Sequence, residues 1–350
     1  MKFGMLHLFE SPMGRSDQEM LDEQVELMEA AEGFGFDSVW PAEHHFTEYG
    51  FCASPALPLA AIARRTRRIR LGTGVVVLPF HHPLRVAEDF AMLDNLSGGR
   101  VELGVGRGYQ PIEFQGFGID QARSREIFDE ALEVLLQAWR EPRVHFDGRH
   151  FRFHDVEVRP RPLQKPHPPV WLAALSEESF EKAGRLGCNL LCSPVFGGSL
   201  QVARDRIERY REALARAGHD PAGHEVGALV MVYAGKNQEQ ARREFADPVI
   251  WYFRTFGKYV ASKLGQPPIE TYEWYAQIRD LARQVQWDQL LDHGAVICGE
   301  PEYVAERVRD LRENAGVDHL LCWTRLGGLA NEKVLGHMER MRDVVIPALR

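Results

Sequence analysis

The chain has 350 residues, of which 45% are hydrophobic, and a formal net charge of −8. This length and composition suit one large domain with a buried core. The negative charge argues against sequence-independent binding to nucleic acid, because such binding needs a basic surface. No stretch is apolar enough for a membrane span or a signal peptide, and the five cysteines show no paired CxxC spacing. We therefore predict a cytoplasmic protein with reduced thiols, no metal site, and no membrane or nucleic-acid partner.

Short β-rich segments alternate along the chain with amphipathic segments of helical length. The predicted strands are 2–9, 38–43, 69–78, 101–106, 170–175, 190–195, 225–234 and 319–325. The predicted helices lie near 17–33, 55–66, 83–96, 124–139, 177–186, 201–217, 237–255, 301–314 and 331–345. In the first helix, Leu21, Val25 and Met28 are predicted to share one face. Eight strands separated by helices favour an α/β fold, a single (β/α)₈ TIM barrel over residues 1–350, rather than an open sheet.

Two stretches interrupt this alternation. Residues 143–169 contain a predicted hairpin over 144–151, followed by five prolines from Pro160 to Pro169. Residues 257–300 are long and rich in Trp, Tyr and Gln. A long insertion after a late barrel strand is a candidate lid over the site. A surface excursion packed by its own aromatic side chains is an equally good interpretation.

The carboxyl ends of the predicted strands are polar, and barrel enzymes place their sites there. Strand 38–43 leads into Glu43-His44-His45. Successive side chains of an extended segment point to opposite faces, so Glu43 and His45 share one direction and His44 takes the other. The two histidines therefore make a poor metal pair. We predict that His44 faces the barrel mouth; a hydrogen-bonded structural histidine is the alternative.

A phosphate site is predicted from two other strand ends. Arg107 follows strand 101–106, and a guanidinium at that place is costly to bury without an anion such as phosphate. Ser176 and Ser179 open the helix after strand 170–175, where unpaired backbone N–H groups and the helix dipole also favour an anion. Plain N-capping explains Ser176 by itself equally well.

Several segments in combination resemble the bacterial luciferase family, and above all its α subunit. The similarity extends over essentially the whole chain. It is carried by Glu-His-His-Phe-Thr-Glu-Tyr-Gly at 43–50, Val-Val-Leu-Pro-Phe-His-His-Pro-Leu-Arg at 76–85, Leu-Ser-Gly-Gly-Arg at 96–100 and Gly-Arg-Gly at 106–108. None of these segments is specific by itself.

The resemblance implies a role for individual residues. His44 matches the catalytic histidine beside the flavin ring, and Arg107 matches an arginine that binds the FMN phosphate. Ser176 and Ser179 match further phosphate contacts. A non-prolyl cis peptide bond against the isoalloxazine is implied between Gly74 and Val75. The other positions implied to contact the cofactor are Tyr109, Ala174, Leu175 and Ser193.

Three positions depart from the luciferase pattern. Gly106 stands where the luciferases have a reactive cysteine, and Leu175 stands where they have a glutamate beside the phosphate. Pro194 replaces a tryptophan at the flavin edge. These departures argue against light emission and against a long-chain aldehyde substrate. They leave His44 and the predicted phosphate residues unchanged.

The function implied by the resemblance is that of a two-component monooxygenase. Such an enzyme takes reduced FMN (FMNH₂) from a separate NAD(P)H:flavin reductase and uses O₂ to oxygenate a small organic substrate. Association into a dimer is also implied, with Leu57, Leu59 and Ile62 near the contact, although core packing explains these residues as well. One alternative is an F420-dependent hydride-transfer oxidoreductase, against which the Glu-His-His-Phe sequence argues. The other is a flavin-binding protein without turnover, against which the full set of eight βα units argues.

Overall fold

In the part of the chain that the structure describes, the strands belong to one large parallel sheet and one short hairpin. A computed structural model describes residues 1–12, 15–193, 200–260, 282, 285–292 and 294–350. The strands in these ranges are β1 (Lys2–His7), β2 (Ser38–Pro41), β3 (Arg70–Gly72), β4 (Val76–Val77), β5 (Val101–Gly106), β6 (Val144–Asp147), β7 (Arg152–Val156), β8 (Val170–Ala174), β9 (Asn189–Cys192), β10 (Val226–Ala234), β11 (Val296–Gly299) and β12 (His319–Trp323).

Eight of these strands close into a parallel barrel. β1 pairs with β2, β2 with β3, β3 with β5, β5 with β8, and β8 with β9. β9 then pairs with β10, β10 with β12, and β12 returns to β1. The predicted (β/α)₈ barrel is therefore confirmed. Because the strands are parallel, their carboxyl ends all meet at one mouth.

Helices follow the strands around the outside of this barrel. They are α1 (Asp17–Ala30), α2 (Ala56–Ala63), α3 (Pro83–Ser97), α4 (Pro111–Phe117), α5 (Ser124–Arg140), α6 (Glu177–Arg185), α7 (Leu200–Arg216), α8 (Gln238–Tyr259), α9 (Trp287–Asp292), α10 (Pro301–Ala315) and α11 (Asn331–Arg340). Nine of them match the predicted helices in place. None in the described part of the chain is both long and apolar enough to cross a membrane.

Large aromatic side chains fill the interior of the barrel below the mouth. The rings of Trp40 and Trp171 meet edge to face with centroids 5.3 Å apart, and His319 lies 5.9 Å from each ring. The indole N–H of Trp171 donates to the Glu102 carboxylate at 2.6 Å. Gly72 makes room for this layer, because a Cβ there would lie 2.3 Å from the Trp40 ring. The packed interior confines any large site to the mouth.

The predicted strand 69–78 is two strands rather than one. β3 ends at Gly72, and β4 resumes at Val76. Between them Thr73 bonds through its side chain, with its hydroxyl donating to the Gly104 carbonyl at 2.7 Å and accepting from the Gly104 N–H at 2.9 Å. These side-chain bonds hold the stretch to β5 together with the Thr73 N–H, which donates to the Glu102 carbonyl at 3.1 Å. The peptide bond between Gly74 and Val75 is cis, as the resemblance implies.

The buried face predicted for α1 is partly wrong. Leu21 is 41% exposed, whereas Gln24 is fully buried among Met20, Leu27 and Met28. The amide oxygen of Gln24 lies 2.8 Å from the Nδ1 of His7, at the end of β1. This polar contact turns the helix so that a glutamine replaces a leucine on the inner face.

The two predicted insertions have different outcomes. A hairpin is present where it was predicted, because β6 and β7 pair in the antiparallel sense, but its second strand begins at Arg152, just after the predicted range 144–151. The stretch 257–300 contains an element that the prediction missed, since β11 pairs with β10. Most of the candidate lid lies outside the described residues. α4 was also missed, because it is a short helix in what the sequence presents as a loop.

Candidate active site

A cavity of about 700 Å³ lies at the carboxyl ends of the barrel strands. This volume is typical of sites that bury a cofactor or another ligand of similar size. All the residues predicted to have a catalytic or cofactor-contact role line it: His44, Gly74, Val75, Arg107, Tyr109, Ala174, Leu175, Ser176, Ser179 and Ser193. Barrel closure thus brings together residues that follow five different strands.

His44 sits in the cavity wall beside a carboxylate that was not predicted. Its Nδ1 lies 2.8 Å from the Oε1 of Glu113, and both side chains are buried. The same Oε1 accepts a hydrogen bond from the backbone N–H of His45 at 3.0 Å, which fixes the carboxylate. A carboxylate at one ring nitrogen sets the orientation of an imidazole. The contact with Glu113 through Nδ1 therefore fixes the orientation of the His44 ring in the cavity wall.

Glu43 and His45 lie on the same side of the segment, as strand alternation predicts. The Oε1 of Glu43 is 3.0 Å from the Nε2 of His45 and 2.8 Å from the Nε2 of His81. Its Oε2 accepts from the Val77 N–H at 2.9 Å, so the carboxylate also fixes β4 beside the cis peptide. Burial raises the pKa of Glu43, but the hydrogen bonds from His45 and His81 outweigh it and hold that pKa below its ordinary value.

The end of the cavity next to the neighbouring strands β5, β8 and β9 carries several cations. Arg107 follows β5, and Arg125, Lys182 and Arg206 lie on α5, α6 and α7. Arg125 forms an ion pair with Glu178, and Lys182 forms one with Asp129. The sequence prediction included only Arg107, because the other three lie within helices where a basic residue looks like ordinary surface. Clustered cations at one end of a cavity favour an anionic group there.

The two serines at the start of α6 cap the helix and also face the cavity. The Ser176 hydroxyl accepts from the Ser179 N–H at 3.4 Å, and the Ser179 hydroxyl accepts from the Ser176 N–H at 3.1 Å. The capping interaction considered from the sequence is therefore present. Both residues still line the cavity, and the positive end of the α6 dipole lies beside the cations.

Glycines and apolar side chains also line the cavity, in a part that we call its floor. Gly74, Val75 and Gly106 form part of it, with Leu172, Leu191 and Leu229. A Cβ at Gly106 would lie 2.6 Å from the Cγ2 of Val75, so this position is tight for any side chain. Of the three departures from the luciferase pattern, Gly106 and Leu175 line the cavity. Pro194 lies outside the described residues.

The barrel and this cavity define a class, the (β/α)₈ barrel proteins with a site at the carboxyl ends of the strands. Comparison with known proteins identifies the family. The profile of the luciferase-like monooxygenases matches residues 1–319. The chain belongs to this family of flavin-dependent monooxygenases.

Curated relatives include three named monooxygenases. The 4-hydroxyprotoasukamycin monooxygenase of Streptomyces nodosus subsp. asukaensis is 32% identical, over 87% of this chain and 80% of its own length. The oxygenase component of the flavin-dependent trigonelline monooxygenase of Acinetobacter baylyi is 26% identical, over 99% of this chain and 95% of its own length. The alkanal monooxygenase alpha chain of Photorhabdus laumondii is 28% identical, over 100% of this chain and 98% of its own length.

Solved structures share the whole fold. The monooxygenase RslO1 from Streptomyces bottropensis superposes with a TM-score of 0.88 and 29% identity, covering 100% of both chains. The oxygenating constituent of 3,6-diketocamphane monooxygenase from Pseudomonas putida, solved with FMN, superposes with a TM-score of 0.82 and 21% identity, covering 100% of this chain and 99% of its own. An F420-dependent secondary alcohol dehydrogenase superposes with a TM-score of 0.77 and 18% identity, with the same coverage. At these last two identities the likeness concerns the fold alone.

Proposed function

We propose that the protein is the oxygenase of a two-component system, which uses reduced FMN and O₂ to oxygenate a small organic substrate. One observation carries this proposal. The same cavity has a cationic end and contains the His44–Glu113 pair in its wall. A separate NAD(P)H:flavin reductase would supply the reduced flavin. The relative from Acinetobacter baylyi, described as an oxygenase component, supports a divided system of this kind.

The residues of the cavity fit FMN. Arg107, Arg125 and Lys182 would hold the terminal phosphate with the first turn of α6, because charge-assisted hydrogen bonds and the helix dipole both favour a dianion. The apolar floor at Gly74, Val75 and Gly106 suits a flat, uncharged ring. The bound flavin would supply the redox and oxygen chemistry.

The protein itself would provide a proton carrier and a dry environment. His44 would exchange a proton at Nε2 with the cofactor or substrate, while Glu113 keeps the ring oriented through Nδ1. Leu172, Leu191 and Leu229 would exclude water from the ring face. Glu43 would act at a distance by holding β4 through the Val77 N–H.

The test of the cofactor assignment is a comparison of binding affinities. A charged phosphate contact contributes roughly 1.5–3 kcal/mol, so reduced FMN should bind at least about tenfold more tightly than reduced riboflavin. Arg107→Ala should remove most of this difference, whereas Arg64→Ala, at an exposed arginine after α2, should not change it. Equal affinities for the two flavins in the unmodified protein would refute the assignment.

Turnover assays separate the monooxygenase from its alternatives. Oxygen consumption with FMN, NADH and a flavin reductase is expected in the presence of substrate. Hydride transfer from reduced F420 without oxygen uptake would instead identify an F420-dependent oxidoreductase. Flavin binding without either activity across a substrate panel would identify a binding protein.

We also propose a homodimer that forms through α2 and α3. Leu57 on α2 is 71% exposed, and Met92 and Leu96 on the neighbouring α3 are 52% and 44% exposed. The other two residues implied by the sequence, Leu59 and Ile62, are fully buried in the core of the chain. Sedimentation should show a dimer for the unmodified protein and a monomer for a Leu57→Glu, Met92→Glu double variant. Leu163→Glu, at another exposed leucine, is the control.

A further inference from the structure

Arg206 lies on the inner face of α7 and lines the cavity. It comes three residues after Ala203 and four before Tyr210, and both of those side chains are buried in the core. Residues three or four positions apart share one face of a helix, so Arg206 faces the barrel rather than solvent. Arg204, on the same helix, is exposed and forms an ion pair with Glu208. A guanidinium on the inner face of a helix is costly unless another group compensates its charge.

No compensating group for Arg206 is present in the part of the chain that the structure describes. Its guanidinium forms no ion pair there, and its Nε is buried without a hydrogen-bond partner. Two other cations of the cavity differ in this respect, because Arg125 pairs with Glu178 and Lys182 pairs with Asp129. Arg206 therefore brings to the cavity a positive charge that no carboxylate among the described residues offsets.

The contact between α6 and α7 places Arg206 beside the start of α6. Arg209, one turn further along α7, forms an ion pair with Glu177, the first residue of α6. Because a helix rises 1.5 Å per residue, Arg206 lies about 4.5 Å from Arg209 along the axis, toward the beginning of α7. That beginning is at the barrel mouth, since a helix that follows a barrel strand runs back from the mouth. Arg206 is thus the residue of this face of α7 that lies at the level of the cavity.

The start of α6 offers neutral donors to an anion, and Arg206 adds a full charge to them. Ser176 and Ser179 line the cavity there, at the positive end of the helix dipole. A phosphate monoester carries close to two negative charges near neutral pH and presents three terminal oxygens. A diester carries one negative charge and presents two such oxygens. An uncompensated guanidinium gains more from the doubly charged group, because it interacts with a larger charge and has a further oxygen to bind.

We propose that Arg206 binds the phosphate and makes this site select a doubly charged phosphate monoester over a singly charged diester. The inference rests on the proposed function in assigning that phosphate to FMN, but the selection itself concerns only the anion. It favours FMN, whose phosphate is a monoester, over a flavin that carries a phosphodiester. Arg206 is then a specificity-determining residue, distinct from the ion-paired Arg125 and Lys182.

The first test uses the flavin-free protein and two small anions, followed by calorimetric titration at about pH 8. Inorganic phosphate is mostly a dianion at this pH, and dimethyl phosphate is a singly charged diester. Inorganic phosphate should bind at least about tenfold more tightly, as expected for one additional charge-assisted hydrogen bond. Equal affinities for the two anions, or no binding of phosphate by the unmodified protein, would overturn the proposal.

Variants of Arg206 test the residue itself. Arg206→Gln removes the charge and should weaken phosphate binding at least about tenfold, with a smaller loss for dimethyl phosphate. Arg206→Lys keeps the charge and should recover most of the lost affinity. Arg204→Gln is the matched control on the exposed face of the same helix, and it should bind both anions as the unmodified protein does. Undiminished phosphate binding by Arg206→Gln, equal losses for both anions, or no recovery in Arg206→Lys would contradict the proposal.

A second pair of probes connects the anion to the cofactor. FMN and riboflavin 4′,5′-cyclic phosphate share one ring system, but the phosphate of the cyclic compound is a singly charged diester. Titrations followed by flavin fluorescence should show a preference for FMN that Arg206→Gln loses, while the affinity for riboflavin stays unchanged. If Arg206 selects inorganic phosphate but no flavin binds, the FMN assignment fails and the anion selection stands. If FMN binds and Arg206→Gln retains the full preference over the cyclic compound, the anion selection fails and the FMN assignment stands.

Discussion

The Nδ1 of His44 lies 2.8 Å from the Oε1 of Glu113, a residue 69 positions further along the chain. The carboxylate oxygen also accepts from the His45 backbone N–H, so the pair links the segment after β2 to α4. The other oxygen, Oε2, is buried without a hydrogen-bond partner among the described residues. A carboxyl group buried in this position is stabilised by its contacts with the imidazole and with the His45 N–H.

Replacing Glu113 with glutamine should reduce turnover without unfolding the protein. The amide keeps the size of the side chain but changes the contact that orients the His44 ring through Nδ1. We expect kcat to fall by about 10- to 100-fold, as for second partners of functional histidines, with KM nearly unchanged. Gln115→Glu, elsewhere on α4, is a control for helix changes. An unaltered kcat in the folded variant would contradict the positioning role.

Removal of the His44 imidazole should abolish most turnover while the fold persists. The cations assigned to the phosphate belong to other elements, so His44→Ala should still bind reduced FMN. Loss of a positioned acid–base group reduces rates by roughly 10²–10⁴-fold. The measurement is single-turnover product yield from preformed reduced FMN and O₂. A near-normal yield from the folded variant would show that His44 is a structural histidine.

His45→Ala should affect stability more than catalysis. His45 is buried, its Nε2 lies 3.0 Å from Glu43, and its ring packs against Phe117 with centroids 4.7 Å apart. Removing it deprives the buried Glu43 carboxylate of one partner, and we expect the free energy of unfolding to fall by about 1–3 kcal/mol. Chemical denaturation measures this change. A catalytic loss as large as that of His44→Ala, without destabilisation, would contradict the assignment.

The buried carboxyl group of Glu10 should make the free energy of unfolding decrease toward alkaline pH. Burial raises its pKa to about 8, and the side chain accepts from the Gly327 N–H. The folded state therefore retains a proton that the unfolded state releases near the ordinary pKa of 4.5, so stability is lost as pH rises from about 4.5 to about 8. Glu10→Gln imitates the protonated carboxyl and should raise the melting temperature at pH 8 but barely at pH 5. An equal effect of the variant at both pH values would refute this.

The sequence by itself determined the architecture and part of the site. Apolar residues that recur every 2 or every 3.6 positions identify the strands and most helices. This works because the face that a strand or helix buries is set by the spacing of its own residues. The same alternation places Glu43 with His45 and His44 on the opposite side, which the contacts of Glu43 and of His44 bear out. Strand ends also indicated where the polar residues of the mouth would gather.

Only the tertiary structure decided which distant groups meet. Glu113 reaches His44 because α4 folds back over the mouth, and Tyr252 reaches Tyr49 across 203 residues because α8 packs there. Gln24 replaces Leu21 on the inner face of α1 because His7 offers it a partner. Such pairings depend on barrel closure and helix rotation, which combine contributions from the whole chain. A local sequence pattern shows that a side chain is polar, but the packing of the whole chain determines which group forms a hydrogen bond with it.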